Sequence, residues 1–213
     1  MGEVQLDTAS RVVFIRSVIC LYGESASRQL AEQMAADIAA HWNEPGAATL
    51  IRHVAYAVRF EIAGVYADQL LPETVWYNDD PKLNFFRVVT EVEGNVSFVD
   101  GIGSNTGVFK LDNLLQTSTT AAHEYGHTIG LAHPHITDIR GGKETGIMYP
   151  RGTLCDSHLQ YDPNALSGAP GGVLDPRHRR VFASDIEQLQ LSRLHFNDKG
   201  FAQLGEFTSI YHG

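Results

Sequence analysis

Residues 123–133 read His-Glu-Tyr-Gly-His-Thr-Ile-Gly-Leu-Ala-His and hold three of the ten histidines in this 213-residue chain. Neutral imidazole is the side chain most often recruited to a transition metal. On a helix, residues four apart are separated by about 40° and one turn, so His123 and His127 present their rings to the same point. Two nitrogens at roughly 2.0–2.1 Å then hold one zinc ion. Glu124, one step round from His123, is placed to act as general base on a metal-activated water without being forced to ligate the metal. Gly130 ends the helix through its freedom at positive φ, and His133 returns three residues later as a third ligand. Three protein nitrogens leave the fourth tetrahedral position open, which separates a catalytic zinc site from a closed structural one. With Gly130 and His133 at fixed spacing the chance expectation falls to on the order of one in ten million per start position, so a histidine-rich helix without metal is the weaker reading.

Downstream stands Gly146-Ile147-Met148-Tyr149-Pro150. Together with the extended histidine motif, this string resembles the metzincin clan of zinc metallopeptidases, whose active helix is followed by a methionine in a tight turn. The resemblance places Met148 as an apolar floor beneath the metal site. Within the clan, Met-Tyr-Pro is similar to the matrixins and His133-Pro134 to the serralysins. The chain departs from both patterns. The 14 residues between His133 and Met148 exceed the usual matrixin spacing, and Pro150 stands where astacin-like and serralysin-like members carry a ligating tyrosine. The matrixin string for structural zinc and calcium and the serralysin calcium repeats are both missing.

The resemblance implies an endopeptidase with one catalytic zinc ion on His123, His127 and His133, and a protein or peptide as substrate. It also implies an extended substrate lying antiparallel to the strand before the active helix, either Val96–Val99 or Val108–Leu111. Tyr149, Pro150 and the Gly/Pro-rich segment 151–172 would wall the primary specificity pocket. Two other functions share the motif: a catalytically inert zinc-binding module, and a zinc hydrolase of a non-peptide amide. An intact Glu124 weighs against the first, because a binding module needs no base. His135 is the nearest rival ligand and is read as facing solvent or supporting the ligands. His41, His53, His158, His178, His195 and His212 lack ligand spacing. No motif indicates calcium; Asp79-Asp80 is read as a solvated turn, with a calcium site as the alternative.

The elements that must position these groups follow from periodicity. Residues 11–22 (RVVFIRSVICLY) read as a buried strand, and Leu30, Met34, Ile38 and Trp42 mark one face of a helix over 25–42. Residues 53–64 alternate as a strand. Phe85–Val92 and Val96–Val99 read as a hairpin around Glu93-Gly94-Asn95, followed by an irregular loop over 100–107 and a short strand at 108–111. The active helix is expected over 117–131, and a last helix over Asp185–Leu194, capped by Ser184. This order means α/β (α+β): a twisted mixed sheet with a backing helix and an active-site helix, then an irregular lower half ending in a C-terminal helix. One catalytic domain over 1–213 is expected, divided into an upper half to about 131 and a lower half from about 132.

Composition bounds the partners. A 43% hydrophobic share suits a globular chain, and 16 basic against 25 acidic residues give a net charge of −9. That balance argues against nucleic acid or an anionic membrane. No apolar run reaches the length of a membrane span, and the start of the chain does not read as a signal peptide. A monomer is expected. The family suggests secretion, yet only about ten residues precede the first expected strand, which leaves no room for an inhibitory propeptide. Cys20 and Cys155 fit either one bridge or two separate buried thiols.

Overall fold

The computed structural model describes residues 1–115, 118–142, 144–166, 169 and 174–213. Its centre is β2 (Val12–Tyr22), whose β-branched and aromatic residues suit a strand covered on both faces. The strand β1 (Gly2–Asp7) runs antiparallel to the first part of β2, and β5 (Leu83–Val89) runs parallel to Val18–Tyr22 on the same edge. The other edge takes β4 (Val54–Tyr66) in parallel, with β3 (Ala48–Ile51) folded back on it. Beyond β5 lie β7 (Thr106–Lys110), parallel, and then β6 (Phe98–Val99), antiparallel at the sheet edge. The result is a mixed α/β fold.

Against this sheet packs α1 (Arg28–Asn43), started by Ser27, whose Oγ accepts the Leu30 N–H at 3.1 Å. Its buried face is Ala31, Met34, Ala35, Ile38 and Trp42, the expected four-residue recurrence. A short α2 (Pro72–Trp76) precedes β5. The active segment forms α3 (Thr120–Thr128), which is fixed from behind by aromatic packing. Trp42 is fully buried and donates its indole N–H to the Ala122 carbonyl at 3.0 Å. Its ring meets Tyr125 edge-on at 5.8 Å, and the Tyr125 hydroxyl pairs with Ser17 Oγ at 2.8 Å. Thus α1, the central strand and α3 share one core.

Several expectations need correction. Val96–Val99 is not the hairpin partner of Phe85–Val92: β5 ends at Val89 and pairs with β7, and only Phe98–Val99 is strand, held by β7. The turn over 93–95 shifts the chain by one strand position, which a local reading of hairpin length misses. The first strand is Gly2–Asp7, within the ten or so residues that precede the first expected strand. The active helix is shorter than 117–131, and its expected start at Thr117 lies outside the described residues. The last helix is α4 (Ala183–Gln188), with Ser184 inside it. The Asp185 carboxylate accepts the Phe182 N–H at 2.8 Å at its start, and Gln190 at φ 50° breaks the chain before Leu194. Finally, β10 (Phe201–Leu204) leaves the irregular half and pairs with β1, so the sheet takes a strand from both halves of the chain. Cys20 and Cys155 are not bridged; they are buried in separate apolar clusters.

Because Trp42 joins α1 to α3, Trp42→Ala is expected to destabilise the protein by about 3–5 kcal/mol, read from the urea midpoint. A loss below about 1 kcal/mol would mean that the two helices do not depend on this ring.

Candidate metal centre and its cavity

The helix α3 is polar on one side only. Ala121, Ala122, Tyr125 and Ile129 enter the core, whereas His123, Glu124 and His127 turn toward a cleft while staying at most 9% exposed. The helix stops in a Schellman arrangement, in which Leu131 N–H reaches Gly126 O at 2.9 Å and Gly130 N–H reaches His127 O at 3.0 Å. Gly130 sits at φ 104°, the conformation expected of it. The chain then turns back and brings exposed His133 to the other two histidines.

The three Nε2 atoms lie 3.2 Å (His123–His127), 3.1 Å (His123–His133) and 3.0 Å (His127–His133) apart. Tetrahedral zinc with bonds of about 2.0–2.1 Å separates its ligand nitrogens by about 3.3–3.4 Å, so the cluster needs an opening of only a few tenths of an ångström. Proton bookkeeping supports the fit. His123 Nδ1 stands 2.7 Å from Ile147 O and His127 Nδ1 stands 2.7 Å from Leu131 O. A carbonyl only accepts, so the short Ile147 O and Leu131 O contacts favour Nδ1–H over the longer 3.2 Å approach of Arg179 Nη2 to His123 Nδ1, and both Nε2 atoms of the neutral rings then face each other as lone pairs. Such an arrangement is repulsive unless a cation, or the Nε2–H of His133 at 3.0–3.1 Å, lies between them. Burial lowers the pKa of all three histidines, most of all His123, which keeps the rings in the neutral ligating form.

Beside the cluster opens a cavity of about 360 Å³. His123, Glu124, Tyr149 and Pro150 line it, with Arg151 and Tyr161 from the segment after the turn. Residues 167, 168 and 170–172 of the expected pocket wall lie outside the described residues. Burial pushes the Glu124 carboxyl up to about 8, and the nearby Arg179 guanidinium opposes that rise. Of the two strands proposed for substrate, β7 is internal and β6 is the edge; Asn95, Val96 and Ser97 ahead of β6 line the cavity.

Met148 is buried where the turn packs against the back of α3. There Gly126 is required for space: a Cβ on it would lie 2.3 Å from Met148 Sδ and 3.1 Å from the Trp42 ring. The turn itself is held by β8 (Thr145–Gly146), which pairs in parallel with β9 (Arg179–Arg180). Sequence reasoning missed Arg179. Its Nη2 donates to Ile147 O and, at 2.8 Å, to Tyr149 O, and its Nη1 donates to Thr119 Oγ1 at 3.1 Å. Burial lowers its pKa to about 10. Gly126, Trp42 and Thr119 were missed as well, since each acts through tertiary proximity that no local spacing announces.

His135 is exposed and outside the cluster. None of the other six histidines joins it; His212 instead pairs with Asp100 at 2.9 Å. Asp80 sits in a turn with Lys82, and among the described residues no further group of metal ligands gathers. No family model matches the chain, and no curated protein matches it. What the fold and the site define is a mixed α/β protein with a three-histidine cluster able to hold a metal ion.

Two outcomes follow. Gly126→Ala is expected to cost about 1–3 kcal/mol through overpacking, and the cost should shrink when Met148→Ala is combined with it, as a double-mutant cycle in urea reads. Titration with cobalt(II) is expected to give one ion per chain with a tetrahedral visible spectrum, lost in His127→Ala. A cobalt spectrum unchanged by that substitution would reject the cluster.

Proposed function

We propose that this chain is a zinc-dependent endopeptidase of metzincin type, cleaving peptide bonds in proteins. The observation that carries the reading is the convergence of three imidazole Nε2 atoms beside a cavity lined by His123 and by a buried carboxyl, Glu124. Zinc held by His123, His127 and His133 would supply a Lewis acid for the scissile carbonyl, acidify a water, and favour the ionised form of Glu124.

The remaining work belongs to the chain. Glu124 accepts the proton of the attacking water at its carboxylate and passes it to the leaving nitrogen. Its position on α3, next to His123, keeps it beside the cluster, and among the described residues no side chain bonds its carboxyl and competes for the proton. The edge strand β6, with Asn95, Val96 and Ser97 leading into it along the cavity, would let an extended peptide be fixed by main-chain hydrogen bonds. Met148 packs α3 from behind and, with Gly126, leaves the histidines a fixed base. An inert binding module would have no use for a buried acid at the mouth of a cavity.

The zinc-loaded protein should degrade casein or gelatin, and a chelator should stop it. Glu124→Gln should retain one metal ion per chain while activity drops by about 10²–10⁴-fold. Equal cleavage by that variant would remove Glu124 from the mechanism; metal binding with no cleavage of any protein or peptide would favour the binding module.

A further inference from the structure

Peptide hydrolysis leaves one charged group of the cavity without a task. The Arg179 guanidinium lies beside the cluster, yet no ion pair joins it to any carboxylate among the described residues. Of its five donor hydrogens, those on Nη2 go to Ile147 O and Tyr149 O and one on Nη1 goes to Thr119 Oγ1. The buried Nε–H has no acceptor among the described residues. A side chain kept only to clamp the turn would need the two carbonyl bonds and no charge, and a neutral amide donor would supply them. Buried, incompletely satisfied charge is instead what an anion site looks like before its anion arrives.

The rest of the wall agrees. Arg151 adds a second cation, Asn95, Ser97 and Asn113 add neutral donors, and Glu124 is the one acidic residue lining the cavity among the described residues. This local excess of positive charge occurs in a chain of net charge −9, so it does not follow from composition.

We propose that the cavity takes a carboxylate of the substrate and that Arg179 selects it, an inference that rests on the peptidase reading above. The carboxylate is supplied either by an Asp or Glu side chain adjoining the scissile bond or by the C-terminal carboxylate of a short peptide. Both bring a full negative charge, which the remaining Nη1 hydrogen of Arg179 can meet and which the matching amide lacks.

Binding, read separately from turnover, tests it. Fluorescent decapeptides are prepared as acid and amide pairs: Glu against Gln scanned through each position, and free against amidated C-termini. Anisotropy on metal-loaded Glu124→Gln protein is expected to favour the acid member at one position by about tenfold. Cleavage by the unsubstituted protein should show the same ratio in kcat/KM. In Arg179→Met the ratio should fall to within about twofold, and Arg179→Lys should keep only part of it. A preference at an internal position assigns the side-chain source, and one abolished by amidation assigns the terminal source. Equal affinity for every acid and amide pair, or a preference that survives in Arg179→Met, would overturn the proposal. If circular dichroism shows that Arg179→Met fails to fold, the Arg179→Lys ratio decides in its place. An acid preference in binding without any cleavage would reject the peptidase reading alone, whereas cleavage indifferent to charge would reject this one.

Discussion

Two backbone carbonyls determine what the histidines of this protein can be. Ile147 O and Leu131 O each take the Nδ1–H of a neutral ring, and the lone pairs on His123 and His127 Nε2 are thereby turned toward each other at 3.2 Å. Without those acceptors each ring could swap tautomers and rotate, and the pair would relax into an ordinary hydrogen bond. With them, the pair needs a positive partner between the rings, either a cation or the Nε2–H of His133. The constraint reaches outward. Ile147 is held in place by its N–H bond to Arg180 O at 2.6 Å, so the small β8–β9 ladder sets the tautomer of a residue on a different element. Trp42 and Tyr125 keep α3 from drifting away from that ladder.

Close packing makes the constraint effective, because a carbonyl 2.7 Å from an imidazole orients it only if neither can retreat. Met148 against Gly126 removes the space into which α3 or the turn might slide. A glycine in the middle of a nine-residue helix costs roughly 0.5–1 kcal/mol relative to alanine. Here the space that it frees lets the turn come close enough for Ile147 O to reach His123. The same segment holds Arg179, whose desolvated charge is a further cost that the surrounding core must offset. Helix, turn and cavity wall are thus stabilised together or not at all.

This hierarchy explains what the sequence disclosed. The strand at 12–22, the helix face of Met34, Ile38 and Trp42, and the strand over 54–66 were legible, since each is a periodic pattern answering to one core. The spacing of His123, His127, Gly130 and His133 was legible because a single helix and its C-cap control the geometry. Pairing partners were not: Phe98–Val99 carries no local sign that β7, arriving later in the chain, will claim it. Nor do Gly2–Asp7 and Phe201–Leu204, some two hundred residues apart, announce that they form one ladder. Arg179 was invisible for the same reason, as its role arises from a two-residue ladder linking it to the methionine turn. The metzincin resemblance remains a statement about residues 123–150, and the comparisons add nothing to it.

The third histidine of the cluster shows how little of such an arrangement needs to be rigid. His133 comes from an exposed stretch, and among the described residues no carbonyl fixes its Nδ1, in contrast to the two helical ligands. Its placement depends instead on what happens two residues earlier. Leu131 is buried, its N–H closes the Schellman bond to Gly126 O, and its carbonyl takes the Nδ1–H of His127. One residue therefore ends the helix, fixes the second ligand and aims the chain that carries the third. Only the short Ala132–His133 step is left to be ordered by ligation, and by loop-closure arithmetic so short a free segment costs little entropy. The eleven-residue motif owes its fixed spacing to this economy. Lengthening the return by even one residue would separate the anchor at Leu131 from the imidazole it delivers, although the three histidines would all still be present.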